Sequence, residues 1–326
     1  MAKLEDPKTN FRLKQQLLCS VSSTFELAEL LETNSNYIEK TAQKPHYDEF
    51  DMPKKSGGTR HIEDPEDNLK EILRTLNDYL QIVYYQNRSA SAYGFMIVPA
   101  FDKKPRTIRQ NALQHLNRRW MLNADFKDFF HQIKYQEIYE IFCCPPFNFN
   151  DEVATILAKL TTYKGRLPMG SPTSPVLSNF ATRLLDKDLE KLAQKHQWTY
   201  TRFADDLTFS ADEPITMEHF EQVKYICDLY GYVFNENKIK FMMPHEPKIV
   251  TGLVVTNKVD IPADYIESLS KEIEKLRIVL EINYRNGKQA TKWLRNYQQQ
   301  IEGAIEFIRQ IETSKSPDYQ AIKKQY

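Results

Sequence analysis

The sequence predicts an α+β protein with antiparallel hairpins in its central part and a lobe of helices at its end. Three observations carry that reading. Tyr200 to Ser210 sets two short runs of aromatic and β-branched residues on either side of Asp205-Asp206, the pattern of a β-hairpin with acids at its bend. Tyr47 to Ile62 alternates through Phe50 and Met52, bends at Gly57-Gly58 and returns, giving a second hairpin. From Pro262 onward the period becomes helical: Tyr265, Ile266, Leu269, Ile273, Leu276 and Leu280 form one stripe, and Trp293, Leu294, Tyr297, Ile301, Ile305 and Ile308 another.

A chain of 326 residues can bury a substantial core and divide into two or three subdomains. Hydrophobic residues at 41% and charged residues at 27% describe a globular protein, and no apolar run reaches the length that crosses a bilayer. Met1 to Asn10 is polar and lacks a signal-peptide core, so a cytoplasmic protein with no membrane partner is expected. Four cysteines, with Cys143 and Cys144 adjacent, provide neither a disulfide framework nor structural zinc spacing. Equal numbers of bases and acids, 44 each, exclude a uniformly basic surface. Locally the balance tips. Between Phe101 and Lys134 the bases Lys103, Lys104, Arg106, Arg109, Arg118, Arg119, Lys127 and Lys134 meet only Asp102, Asp125 and Asp128, which reads either as a basic patch or as a solvated face.

Taken in order, Ser23 to Lys40 predicts one helix, with Ser23 and Glu26 at capping-box spacing and Phe25, Leu27, Leu30 and Leu31 as its apolar face. The first hairpin carries Lys54, Lys55 and Arg60 on its rim, placed either to fold over a triphosphate or simply to line a basic edge. Asp64-Pro65 predicts a helix start, and Leu69, Ile72, Leu73, Leu76, Leu80 and Val83 its core stripe. Trp120 to Ala124 is a short, mostly apolar run delivering Asp125 at its end. An acid there is costly unless paired or coordinated, which makes Asp125 a candidate metal ligand beside the Asp205-Asp206 bend. Phe130 either packs in the core or walls the pocket onto which Asp125 opens. Leu167 to Pro175 gathers three prolines and Gly170 before a helical pattern from Val176 to Leu192, so that a flat ligand could approach its backbone. A helix from about Met217 to Tyr230, then Gly231 to Lys238, and a strand over Ile249 to Val255 complete the central part.

An acid after a strand, a Pro/Gly loop before a helix, an Asp-Asp hairpin and a downstream Gly-x-x-x-Asn-x-x-Lys resemble, in this order, the successive palm motifs of reverse transcriptases. The resemblance runs from the Lys55 hairpin to the C-terminal helices. Asn111-Ala112-x-x-His115, Val250-Thr251-Gly252 and Leu167-Pro168-x-Gly170-x-Pro172-x-Ser174-Pro175 are similar to patterns of the bacterial retron-type enzymes. One position departs. Phe203 stands where the family usually has the tyrosine of Tyr-Ala-Asp-Asp, so that hydroxyl is missing here.

The resemblance implies a right-hand polymerase with an antiparallel palm sheet and a helical thumb: an N-terminal helical extension over 1–46, fingers over 47–119, a palm over 120–255 with a fingers insertion at about 136–170, and a thumb over 256–326. It implies two magnesium ions, or manganese in their place, held by Asp125, Asp205 and Asp206, with Lys238 protonating the leaving pyrophosphate. Asp128 is read as a helix N-terminal or surface residue. For the deoxynucleoside triphosphate it implies Lys55 and Arg60 on the phosphates, Phe130 beneath the sugar and Gly170 near the base. It assigns RNA recognition to Asn111, His115, Val250, Thr251 and Gly252 with the helical thumb. The implied activity is copying of a cognate non-coding RNA from a 2′-hydroxyl, giving RNA-linked single-stranded DNA in anti-phage defence with a separately encoded effector protein. A defence reverse transcriptase with different priming, or an inactive RNA-binding scaffold, would share the fold. Three costly carboxylates argue against the scaffold.

Overall fold

The computed structural model describes residues 7–53, 57–286 and 291–326. Three helices open it: α1 (Pro7–Cys19), α2 (Thr24–Leu30) and α3 (Ser35–Gln43). The single helix expected over Ser23 to Lys40 is therefore two. Glu32 turns to a left-handed φ of 56°, and Asn34 caps a new helix by accepting from the Tyr37 amide at 2.9 Å. Ser23 does cap α2, but the Glu26 carboxylate turns to the Ser22 amide, so the expected box does not close. Phe25 faces outward, 66% exposed, while Leu27 and Leu31 are buried.

Strands β1 (Tyr47–Pro53) and β2 (Thr59–Pro65) form the first hairpin, paired from Tyr47 with Pro65 to Pro53 with Thr59. Pro65 thus ends a strand instead of starting a helix, and α4 (Asp67–Asn87) begins two residues later. The strand is extended because the loop after Leu167 grips it: the Glu63 amide donates to the Met169 carbonyl at 2.8 Å. The α4 stripe from Leu69 to Val83 is buried as its period requires. Next comes the short helix α5 (Ile108–Leu113), capped by Thr107.

The central sheet contains β3 (Trp120–Asp125), β4 (Thr199–Phe203), β5 (Asp206–Ala211) and β6 (Lys240–Met242) in the order β4-β5-β3-β6, each pair antiparallel. Between β3 and β4 run α6 (Phe129–Gln132), α7 (Tyr135–Cys143), α8 (Asp151–Thr161), α9 (Ser174–Ala181) and α10 (Arg183–Lys195), and α11 (Met217–Leu229) follows β5. A small antiparallel sheet, β7 (Lys248–Val250), β8 (Leu253–Val255) and β9 (Val259–Asp260), leads into α12 (Ala263–Arg285), α13 (Lys292–Glu312) and α14 (Pro317–Gln325).

Side chains alternate across a strand, and on β3 the alternation separates two cores. Leu122 and Ala124 join the larger one with α4, α8, α9 and α10. Met121, on the other face, joins Ala112, Met242, Val250 and the inner stripes of α12 and α13. A strand covered on both sides explains the apolar run of Trp120-Met121-Leu122. Through Met121 and Met242 the core of the C-terminal helices reaches the central sheet. No described helix is long and apolar enough to cross a membrane.

Candidate active site

Strand register brings the acids together. Asp125, last in β3, is paired directly with Asp206, first in β5, and Asp206 is paired on its other side with Phe203. Only Ala204 and Asp205 remain for the bend. Ala204 has a φ of 59°, which places the hairpin in the type II′ class that usually has glycine there. The bend is held from two directions. The Phe126 amide donates to the Asp205 carbonyl at 3.1 Å, and Gly94 lies so close that a Cβ on it would come within 2.7 Å of the Ala204 nitrogen. Downstream, the Asn235 amide donates to the Asp125 carbonyl at 2.8 Å, and the turn Glu236–Lys238 then aims Lys238 back, its Nζ 2.7 Å from Asp125 Oδ1.

Burial, and then the charge of the neighbouring acids, holds both Asp205 and Asp206 above the usual carboxylate range. Three hard oxygen donors that repel one another in a partly buried site are a donor set suited to divalent cations. Cavities of about 410 Å³, lined by Asn123, Asp125, Asp206 and Lys238, and about 280 Å³, lined by Asn123, Phe203, Asp206, Thr208 and Thr251, open on either side of Asp206. A second gathering of possible ligands, Glu49, His61 and Glu63, lies on the first hairpin with ligand atoms within 4.8 Å of one another. There the counter-charge is already supplied. Arg166 holds Glu63 through two bonds of 2.9 Å, and Lys164 holds Glu49 at 2.6 Å.

The other predicted residues divide. Lys55 lies outside the described residues, whereas Arg60 is exposed on β2, and its charge acts on Asp205. Phe130 is 8% exposed and stacks on Phe95 with centroids 5.7 Å apart. Gly170 requires glycine for a reason the sequence did not show: at φ 140° a Cβ would sit 2.6 Å from the Glu63 carbonyl, because the loop packs closely on β2. Asp128 is the exposed N-cap residue of α6.

Burial corrects three of the RNA-contact expectations. His115 is fully enclosed, with Nδ1 2.7 Å from Ser210 Oγ and Nε2 2.8 Å from Thr201 Oγ1, so it braces β4 and β5 on the sheet face that also carries Asp206. Burial pushes its pKa down to about 3, leaving the ring neutral. Asn111, 1% exposed, has no hydrogen-bond partner among the described residues for either side-chain polar atom, and Val250 is wholly in the core. Thr251 and Gly252 do reach the cavity beside Asp206. They are the two central residues of the β7–β8 hairpin, with φ of 49° and 82°, a type I′ turn. The Thr251 hydroxyl and the Asn123 carbonyl oxygen are buried without a hydrogen-bond partner among the described residues.

Several bases of the Phe101 to Lys134 segment serve the fold. Arg109 donates to the Ile311 carbonyl at 2.7 Å, Arg118 pairs with Asp212 at 2.7 Å, and Arg106 lies over the Tyr93 ring. Sequence reading missed Glu63, Arg166 and His131, through which the first hairpin is joined to the loop ahead of α9 by Arg166 and to α6 by His131. It also missed Arg202, a base at an inward position of a strand, which was the available signal.

The family model for reverse transcriptase (RNA-dependent DNA polymerase) matches residues 52–294. The retron Mx65 reverse transcriptase of Myxococcus xanthus is 30% identical over 265 residues, covering 72% of this chain and 59% of that protein. The retron Ec86 reverse transcriptase of Escherichia coli is 30% identical over 176 residues, 53% of this chain and 54% of that one. The retron Ec83 enzyme of Escherichia coli is 24% identical over 285 residues, 84% and 85% of the two chains. The match thus spans little more than half the length of the first two relatives. Among solved structures, a telomerase from Candida albicans in complex with a fragment of telomeric RNA has a TM-score of 0.44 and 12% identity, covering 92% of this chain and 67% of that one. An antiparallel sheet carrying the acids, followed by packed helices, accords with a right-hand polymerase fold. With the family model matched over most of its length, the chain belongs to the reverse transcriptase family, and it is of the bacterial retron type.

Proposed function

We propose that the chain is the RNA-directed DNA polymerase of a retron, copying a cognate structured non-coding RNA from a 2′-hydroxyl to give branched, RNA-linked single-stranded DNA. The observation that supports this most is the register pairing Asp125 with Asp206, with Asp205 at the bend and Lys238 on Asp125. In this reading the palm spans 120–255 with a fingers insertion at about 136–170, fingers span 47–119, the thumb 256–326 and a helical extension 1–46.

Asp125, Asp205 and Asp206 would hold two magnesium ions, or manganese in their place. Bound there, such ions make the primer hydroxyl nucleophilic and neutralise the pyrophosphate. The new bond joins the hydroxyl oxygen to the α-phosphorus, and the bond to pyrophosphate breaks. Lys238, an ammonium 2.7 Å from Asp125, is placed to protonate the leaving group. Arg60 and Lys55 bind the triphosphate, while Phe130 bars a 2′-hydroxyl on the incoming sugar. Thr251 and Gly252 line the cavity beside Asp206, where this turn offers the RNA a contact. RNA binding rests on shape, phosphates and 2′-hydroxyls. The biological setting is anti-phage defence in the cytoplasm with a separately encoded effector.

Asp205→Asn combined with Asp206→Asn should abolish DNA synthesis and leave the RNA bound; persistent synthesis would remove the metal-site assignment. Nucleic acid co-purified with the wild type, sequenced before and after debranching, should contain a discrete DNA joined through a 2′,5′ linkage. Unbranched or repetitive DNA would instead identify a defence polymerase with other priming, and RNA without DNA a scaffold.

A further inference from the structure

Among the described residues, the bulkiest side chain with no meaningful exposure is Arg202. It stands in β4 one residue before Phe203, with its main chain fixed on both sides: its amide donates to the Ser91 carbonyl, and its carbonyl accepts from the Tyr93 amide, both at 2.8 Å. Its guanidinium donates through Nε to Asp186 Oδ1 at 2.8 Å and through Nη2 to Asp186 Oδ2 at 2.7 Å. The remaining arm, Nη1, donates to Asn179 Oδ1 at 3.1 Å and to the Ala204 carbonyl at 2.9 Å. Asn179 in turn donates to the Gly94 carbonyl at 2.9 Å, and Gly94 is the residue packed against the Ala204 nitrogen.

A buried ion pair gives little net stability over an apolar pair of the same volume, because desolvation offsets the attraction. What the guanidinium supplies and a leucine cannot is direction. Asp186 orients the planar fork through two bonds, and the free arm then reaches the carbonyl of the peptide that leads into Asp205. That peptide is the strained one, with Ala204 left-handed where glycine is usual.

We infer that Arg202 is a positioning residue: gripped by Asp186 and Asn179, it fixes the Ala204 carbonyl and so holds the bend that aims Asp205 and Asp206. Asn179 lies on α9, directly after the Leu167 to Pro175 loop, so the same network ties the bend to that loop. The inference rests on the reading of the aspartates as metal ligands.

The test compares wild type, Arg202→Lys and Tyr200→Phe in the full chain, reading thermal unfolding, Mn²⁺ binding by electron paramagnetic resonance, and kcat against dNTP KM. Lysine keeps the charge for Asp186 but has no second arm for Ala204. Tyr200→Phe removes a 2.9 Å bond to the same carboxylate without touching the bend. For Arg202→Lys, Mn²⁺ affinity per folded molecule should fall about tenfold and kcat about tenfold to a hundredfold, with dNTP KM little changed, as expected when reacting groups are displaced without losing substrate contacts. Tyr200→Phe should lower the unfolding temperature and leave Mn²⁺ affinity as in wild type. Wild-type Mn²⁺ affinity and kcat in folded Arg202→Lys would overturn the inference.

Should Arg202→Lys fail to fold, Gly94→Ala pushes on the bend from the other side while keeping every atom of the guanidinium. It should weaken Mn²⁺ binding in the same way, and unchanged affinity would again overturn the inference. If wild type binds Mn²⁺ no better than the Asp205→Asn, Asp206→Asn double variant, the metal-site reading itself falls, and the inference falls with it.

Discussion

Glu137, half-buried on α7, is a carboxyl with no role in the site, and its surroundings favour the neutral form. Burial, then the nearby Glu140 charge, outweigh the hydrogen bonds from the Tyr232 hydroxyl and the Lys134 amide and raise its pKa from an ordinary 4.5 to about 7. The folded protein therefore holds a proton there that the unfolded chain has released. Stability should fall as pH rises from the unfolded pKa through the folded one and level off above it. Glu137→Gln should be more stable than wild type by ~1–3 kcal/mol at about pH 8 and indistinguishable at about pH 4, as read by urea unfolding. Phe130 invites a different comparison, because it both fills the core and walls the proposed sugar site. Phe130→Ala should cost ~3 kcal/mol of stability. It should also raise ribonucleotide use relative to deoxynucleotide by about tenfold or more, the scale on which a pocket discriminates small groups. The ratio of the two nucleotides is independent of how much enzyme is folded, so an unchanged ratio would refute the gate.

At the scale of single elements, the β7–β8 hairpin shows how one turn can serve fold and site in opposite ways. Its type I′ geometry demands left-handed backbone, which a β-branched threonine adopts at a cost of about 1–3 kcal/mol. Asparagine tolerates that region better. Thr251→Asn should raise the unfolding temperature, since it relieves the backbone. If Thr251 serves the cognate RNA, the same variant should bind it more weakly while unrelated RNA is held as before; equal weakening would point to generic phosphate contacts. Element types were legible wherever period or turn chemistry was strong, as in α4, α12, α13 and the Asp-Asp hairpin. Boundaries failed where a tertiary bond decided them. Nothing local to Asp64-Pro65 announces that Met169 will carry β2 onward, and nothing in Ser23 to Lys40 announces a left-handed Glu32.

On the scale of the whole molecule, the acids stand out in the sequence because Asp125 ends a short, mostly apolar run and Asp205-Asp206 interrupts two strand-like ones, where a charge has to be explained. The supporting residues could not. His115 and Asn111 carry no local sign that they are enclosed, and their motif suggests contact as readily as bracing. Whether Arg106, Arg109 and Arg118 formed an RNA surface or bonds within the fold depended on partners as remote as Ile311. The shared core of β3 also escaped prediction, since a strand buried on both faces has no polar side to betray its neighbours. The pairing of Asp125 with Asp206 carries a further consequence for how such a chain can change over generations. Gaining or losing one residue within β3 would turn every later side chain of the strand over, sending the carboxylate into the layer where Leu122 and Ala124 pack and an apolar side chain into the site. Length changes are therefore barred from this short stretch, and lineages can diverge there only by substitution, whereas the exposed connections between helices are free to grow or shrink.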